Sequence, residues 1–243
     1  LTIKKQMKKN KNIVVFGQGV DDKNGTFGTT KNLNKLFGDD RCFDTPIAEE
    51  SLCGFALGLS ISNFYPINIH IRNDFLLLAF NQIVNLISKF EYMFGGIYKT
   101  PLLIRAIIGR SWGQGAQHSQ SIQSMLSHNP GITVIMPSSA QSVFESYSYA
   151  ITNYSGPVIS LEHRVLYDLK FKVSDSKSIN PFKPRLVKKG KDLTIIATSI
   201  MVWESMRAIK MIEKNFSLSI ELIDLHCISK CDQSLILKSI KKT

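Results

Sequence analysis

The sequence has 243 residues, 44% of them hydrophobic and 20% charged, enough chain for one large or two modest domains around a sizeable core. Its formal net charge is +11, but the excess is concentrated in a lysine-rich start and in the region beyond residue 170, leaving the middle of the chain close to neutral. With no basic-aromatic RNA-binding or zinc-finger signature, that distribution argues against a nucleic-acid binder, and the apolar runs are far too short to span a bilayer.

Residues 1–11 read as a frayed, basic polar arm. Ile13 to Phe16 is a β-rich run ending at Gly17, a buried strand that enters a loop. Asn32 to Phe37 suggests a short helix stopped by Gly38, and Cys42-Phe43 a short extended stretch. Thr45-Pro46 is a helix-start signal ahead of Ala48, Leu52, Phe55, Ala56 and Leu59, which recur at helical spacing. Pro66 to Ile71 reads as a strand, and Phe75 to Phe90 as one long, mostly buried helix broken at Gly95-Gly96. Pro101 to Ile108 is apolar enough for a central strand and runs into a glycine-rich loop, Gly109 to Gly115. A helix over Ser119 to Leu126, a strand over Ile132 to Met136, a helix over Ala140 to Ile151 and a strand over Val158 to Leu161 follow.

Strands alternating with helices imply an α/β fold with a mainly parallel sheet covered by helices. Residues 12–170 form that first domain, residues 171–190 a Lys-, Ser- and Pro-rich linker, and residues 191–243 the start of a second α/β unit with two strands and one or two helices.

The candidate chemistry begins at FDTPIAEE, residues 43–50. Glu49 and Glu50 head an amphipathic helix, where the dipole favours a carboxylate. They are either two exposed dipole-complementing acids or include a buried carboxyl able to share a proton with a ligand nitrogen. His118 follows the glycine-rich loop after an apolar strand, where ligands collect in parallel sheets. It can shuttle protons near neutral pH or serve as a structural histidine bonded to backbone. His70, Arg72 and Asp74 alternate and share a face, as a carboxylate-binding group or a surface salt-bridge cluster. His128, His163 and His226 read as structural, and Cys227 and Cys231 lack the second ligand pair of a zinc site, so no metal is expected on this chain. No P-loop, GxSxG elbow, HExxH motif or dinucleotide fingerprint is present.

FDTPIAE (43–49), FLLLAFNQI (75–83), the Gly pair at 95–96, GQGAQHSQS (113–121), NPGITVIMPSS (129–139) and GPVISLEHRVLY (156–167) together resemble, in order and spacing, the beta subunit of thiamine-diphosphate-dependent 2-oxo acid dehydrogenases. That group includes the pyruvate, branched-chain and acetoin dehydrogenases. The resemblance implies a pyrimidine-binding thiamine-diphosphate domain over residues 12–170 and a partial C-terminal swivel domain over 191–243. It implies that Glu49 hydrogen-bonds the cofactor's aminopyrimidine N1′, that Ile47 and Phe75 line the same pocket, and that His118 handles protons near the substrate and an incoming lipoyl group. Gln18 stands where relatives often carry an acid, and Ile69 where they often carry Glu. Gln18 can still exchange hydrogen bonds beside the cofactor, but it cannot relay a proton as an acid.

The diphosphate and its magnesium ion require a GDG…NN segment that this sequence lacks, so the resemblance implies an alpha subunit, an α2β2 assembly and a lipoyl-bearing acyltransferase partner. The chain starts at Leu1 and stops where members of that family continue, which reads as a fragment or incomplete gene. The cytoplasm is the default location, or an organelle matrix. A transketolase-like carboligase subunit and a non-catalytic remnant are the competing readings.

Overall fold

The most apolar runs of the sequence are the strands of a six-stranded sheet, and every pairing in it is parallel. The computed structural model describes residues 2–110, 112–170, 172–174 and 180–243. In chain order the first unit comprises α1 (Thr2–Lys9), β1 (Ile13–Gly17), α2 (Leu33–Phe37), β2 (Cys42–Asp44), α3 (Glu49–Ile61), β3 (Tyr65–His70), α4 (Phe90–Met93), β4 (Leu102–Ile108), α5 (Gln123–Ser127), β5 (Thr133–Ile135), α6 (Ala140–Thr152) and β6 (Pro157–His163). The strand order is β2-β1-β3-β4-β6-β5. β4 and β6 lie inside the sheet and are buried along almost their whole length, as strands covered on both faces must be.

Each face has its own apolar core. Phe16, Leu52, Ala56, Ile83 and Ile104 pack on the side of α3. Val15, Ile67, Ile69, Leu103 and Tyr147 pack on the side of α1 and α6. Gly17 ends β1 with φ 137°, and a Cβ there would lie 2.1 Å from the Ile69 carbonyl oxygen, so only glycine lets the two strands approach.

The second unit contains β7 (Arg185–Lys188), β8 (Leu193–Ala197), α7 (Ile200–Asn215), β9 (Ile220–Asp224) and α8 (Ser234–Ile240). Its sheet runs β7-β9-β8, with β8 parallel and β7 antiparallel to β9. Backbone bonds stitch it to the first unit: Met136 N–H donates to the His226 carbonyl at 2.8 Å and Ile228 N–H to that of Val134 at 3.0 Å. Ser138 Oγ donates to Asp224 Oδ2 at 2.6 Å, and Ser146 Oγ lies 2.7 Å from His226 Nε2.

Four expectations are corrected. The N-terminal arm is helix α1: Ile3 and Met7, one turn apart, are buried, and the lysines ride the outer face. The long helix over 75–90 is instead a 3-10 turn (Asn73–Leu77), a π-helical stretch (Gln82–Ile87) and α4, so the hydrogen-bond register changes repeatedly along it. The linker contains β7, whose half-exposed edge position accommodates its two basic residues and hides its strand character. That strand gives the second unit a three-stranded sheet. Helix α3 starts at Glu49, three residues after the Thr-Pro signal, and its Phe55 is exposed rather than buried.

Candidate active site

Glu49 is the first residue of α3 and is only 4% exposed, whereas its neighbour Glu50 is exposed and accepts hydrogen bonds from Asn81 and Gln82. The two acids, which local spacing alone does not tell apart, are thus separated by one step around the helix, with Glu49 the enclosed one. Gln18, in the turn after β1, donates from Nε2 to Glu49 Oε1 at 3.2 Å and accepts the Ile71 N–H on its own Oε1 at 3.3 Å. The other Glu49 carboxylate oxygen has no protein hydrogen bond among the described residues. One turn along α3, burial pushes the Cys53 thiol up to about 12, and the Glu49 charge adds to the shift. Its sulfur lies 3.7 Å from His70 Nε2 and accepts from Asn68 Nδ2 at 3.7 Å. Burial holds His70 down to about 4, so that ring is neutral over the physiological range.

The second half of the site comes from two loops. Phe75, on the 3-10 turn after β3, meets the His118 ring edge-to-face at 5.3 Å between centroids. His118 closes a single 3-10 turn, Ala116–His118, within the glycine-rich loop after β4, and its ring is half-buried. Ile47 is 80% exposed, an apolar side chain left uncovered two residues ahead of Glu49. Glu49 with Gln18 and Phe75 with His118 are therefore two contacting pairs, joined by the segment 71–75, which receives Gln18 at one end and supplies Phe75 at the other.

Ile69 lies in the core on the α1/α6 face, away from Cys53, so the apolar residue at that position is accommodated as packing. Arg72 and Asp74 form a buried ion pair at 3.1 Å, not a surface cluster, and the Arg72 donors are engaged within the protein. His226 and Cys227 are buried and Cys231 is exposed; no group of three or more potential metal ligands occurs among the described residues.

Sequence reasoning missed a second buried charge cluster. Arg105 on β4 makes a two-pronged pair with Glu162 on β6, Nε to Oε1 at 2.6 Å and Nη2 to Oε2 at 2.8 Å. Tyr147 donates to Glu162 Oε1 and Tyr167 to Oε2 at 2.8 Å. Arg105 and the two tyrosines hold the Glu162 carboxyl below the usual range although burial opposes them. The signal was available: one charge of each sign within otherwise apolar adjacent strands.

The transketolase pyrimidine-binding domain model matches residues 1–170 and the transketolase C-terminal domain model residues 183–243. The chain is 34% identical over 235 residues to the acetoin:2,6-dichlorophenolindophenol oxidoreductase subunit beta of Cupriavidus necator, covering 95% of this chain and 69% of that protein. It is 35% identical over 242 residues to the pyruvate dehydrogenase E1 component subunit beta of Cyanidium caldarium, covering 99% and 73%. The chain belongs to the transketolase-like family of 2-oxo acid and acetoin dehydrogenase beta subunits.

The beta-subunit fold is also close to a solved split-gene transketolase described as an inactive beta4 tetramer, with TM-score 0.81 and 25% identity, covering 98% of this chain and 72% of that one. Thiamine diphosphate is the cofactor of this family, and the beta subunit's own residues fit its pyrimidine side. A buried carboxylate keeps one oxygen free for a ring nitrogen, and the half-buried Phe75 ring follows the Ile71 segment that Gln18 ties to it.

Proposed function

We propose that this beta subunit activates thiamine diphosphate for oxidative decarboxylation of a 2-oxo acid, or for cleavage of an acyloin such as acetoin, with transfer of the acyl group to a lipoyl group. The buried Glu49 carboxylate, held on one oxygen by Gln18 and free on the other, carries the reading. Its free oxygen would hold and exchange a proton with the aminopyrimidine N1′. Gln18 fixes the carboxylate's orientation by bridging it to the Ile71 amide. Phe75 and Ile47 would wall the pyrimidine ring, and His118 would move protons where substrate and acyl acceptor meet. The bound cofactor supplies the electron sink for carbanion chemistry.

The relatives are named as beta subunits, so the complete site requires an alpha subunit. We place the diphosphate and Mg2+ on that partner, because this sequence has no GDG…NN segment, and we expect an α2β2 assembly served by a lipoyl-bearing acyltransferase. No helix among the described residues is long and apolar enough to cross a membrane; the proposed location is the cytoplasm or an organelle matrix.

A second reading, a transketolase-like carboligase, is favoured by the likeness to a transketolase whose gene is itself split. The test is to co-express the chain with an alpha-type gene and measure C2 proton exchange of bound thiamine diphosphate by NMR, in wild type and Glu49→Ala. Fast exchange lost in the variant supports cofactor activation. Reductive acyl transfer to an oxidised lipoyl peptide, whose disulfide takes up the two electrons as one sulfur takes the acyl group, then favours the dehydrogenase, and transfer of a two-carbon ketol unit to an aldose favours the carboligase.

A further inference from the structure

Arg72 and Asp74 are enclosed charges at the end of β3 with no part in the chemistry above. Burying a charge pair is a poor route to stability, so the partners it selects matter more than its existence. The Arg72 guanidinium donates to three acceptors: Nε to Asp74 Oδ2 at 3.1 Å, Nη1 to Gln114 Oε1 at 2.7 Å and Nη2 to the Gly109 carbonyl at 2.5 Å. Asp74 Oδ1 accepts the Gln120 N–H at 2.7 Å. Asn73 Nδ2 donates to the Gln120 carbonyl at 3.1 Å, and its Oδ1 accepts the Ile122 N–H at 3.4 Å.

These bonds grip the His118 loop on both sides. Gly109 and Gln114 lie before His118, and Gln120 and Ile122 lie after it. The loop needs external support: Gly109, Gly113 and Gly115 all have positive φ, and its regular structure next to His118 is one short turn. Phe75, which touches His118, directly follows Asp74 in sequence. A planar fork that bonds three acceptors at once fixes relative orientation in a way a point charge does not.

We propose that Arg72 and Asp74 are positioning residues that strap the glycine-rich loop to the end of β3 and thereby hold His118 against Phe75. This rests on the proposed role of His118 for its functional consequence, but its structural claim can be tested separately.

The test uses the assembled alpha–beta protein carrying Arg72→Met, Arg72→Lys or Asp74→Asn. Hydrogen–deuterium exchange read by mass spectrometry is expected to show amides of residues 112–122 exchanging about tenfold faster or more in Arg72→Met and Asp74→Asn, with β1 and β4 unchanged and Arg72→Lys intermediate. C2 proton exchange of the bound cofactor should stay within about twofold of wild type, because the Glu49–Gln18 pair is intact. Acyl transfer should fall about tenfold or more in Arg72→Met, and combining it with His118→Ala should give a loss no greater than His118→Ala alone, within about twofold. Unchanged loop protection in both Arg72→Met and Asp74→Asn, or losses that multiply in the double variant, overturns the proposal. If the wild-type assembly transfers no acyl group, the dehydrogenase reading fails while the exchange data still decide whether the strap exists.

Discussion

Gln18 Nε2 and Glu49 Oε1 are 3.2 Å apart, and the same Gln18 side chain accepts the Ile71 amide proton at 3.3 Å. A neutral amide thus ties three elements together: the turn after β1, the start of α3 and the end of β3. Replacing Gln18 with Leu removes the donor to a buried carboxylate and should slow C2 proton exchange about tenfold while leaving the protein folded, whereas Glu49→Ala should abolish it. NMR exchange on the assembled protein checks both.

The Arg105–Glu162 pair with its two tyrosines should behave as a unit. Glu162→Ala leaves a buried guanidinium without its counter-charge, and about 3–5 kcal/mol of stability should be lost. Glu162→Gln, keeping shape and part of the hydrogen bonding, should lose less. Urea unfolding of both variants measures the difference, and equal stability of Glu162→Ala and wild type would contradict it.

Acid should weaken the fold through its buried histidines. His70 is held down to about 4 and His226 to about 3 by burial, against about 6.5 in the unfolded chain. Between those values the unfolded chain binds the extra protons, so stability is full above about pH 6.5 and declines as pH falls, by up to about 1.4 kcal/mol per pH unit per histidine. His70→Asn should flatten that decline between about pH 6.5 and 4, read from urea midpoints against pH.

Gly17→Ala should cost on the order of 3 kcal/mol, since the new Cβ would collide with the Ile69 carbonyl at an unfavourable positive φ. Thermal unfolding checks the loss. Because Gln18 is the next residue, C2 exchange should fall with it.

Much of the sheet was legible because buried parallel strands must be apolar: Pro101 to Ile108 declares β4 without reference to anything else. What failed has physical reasons. In α1 the lysines outnumber the apolar positions, and only the Ile3–Met7 spacing betrays a buried face. Periodicity over 75–90 reports burial but not which carbonyl each N–H reaches, so the 3-10 and π segments were invisible. At the site, Glu49 stood out through its motif, but local spacing could not separate it from Glu50; only the helix phase against the core does that. The alternation of residues 70, 72 and 74 was visible, while the Arg72 and Asp74 partners Gly109, Gln114 and Gln120 are long-range contacts that no local pattern contains.

The bonds from Met136 to His226 and from Ile228 to Val134 make the C-terminal chain an extra rung at the open edge of β5. That edge strand is only three residues long and would otherwise end the large sheet with bare backbone groups. Melting of the smaller sheet therefore uncovers the rim of the larger one, so heat should take both apart in a single calorimetric peak.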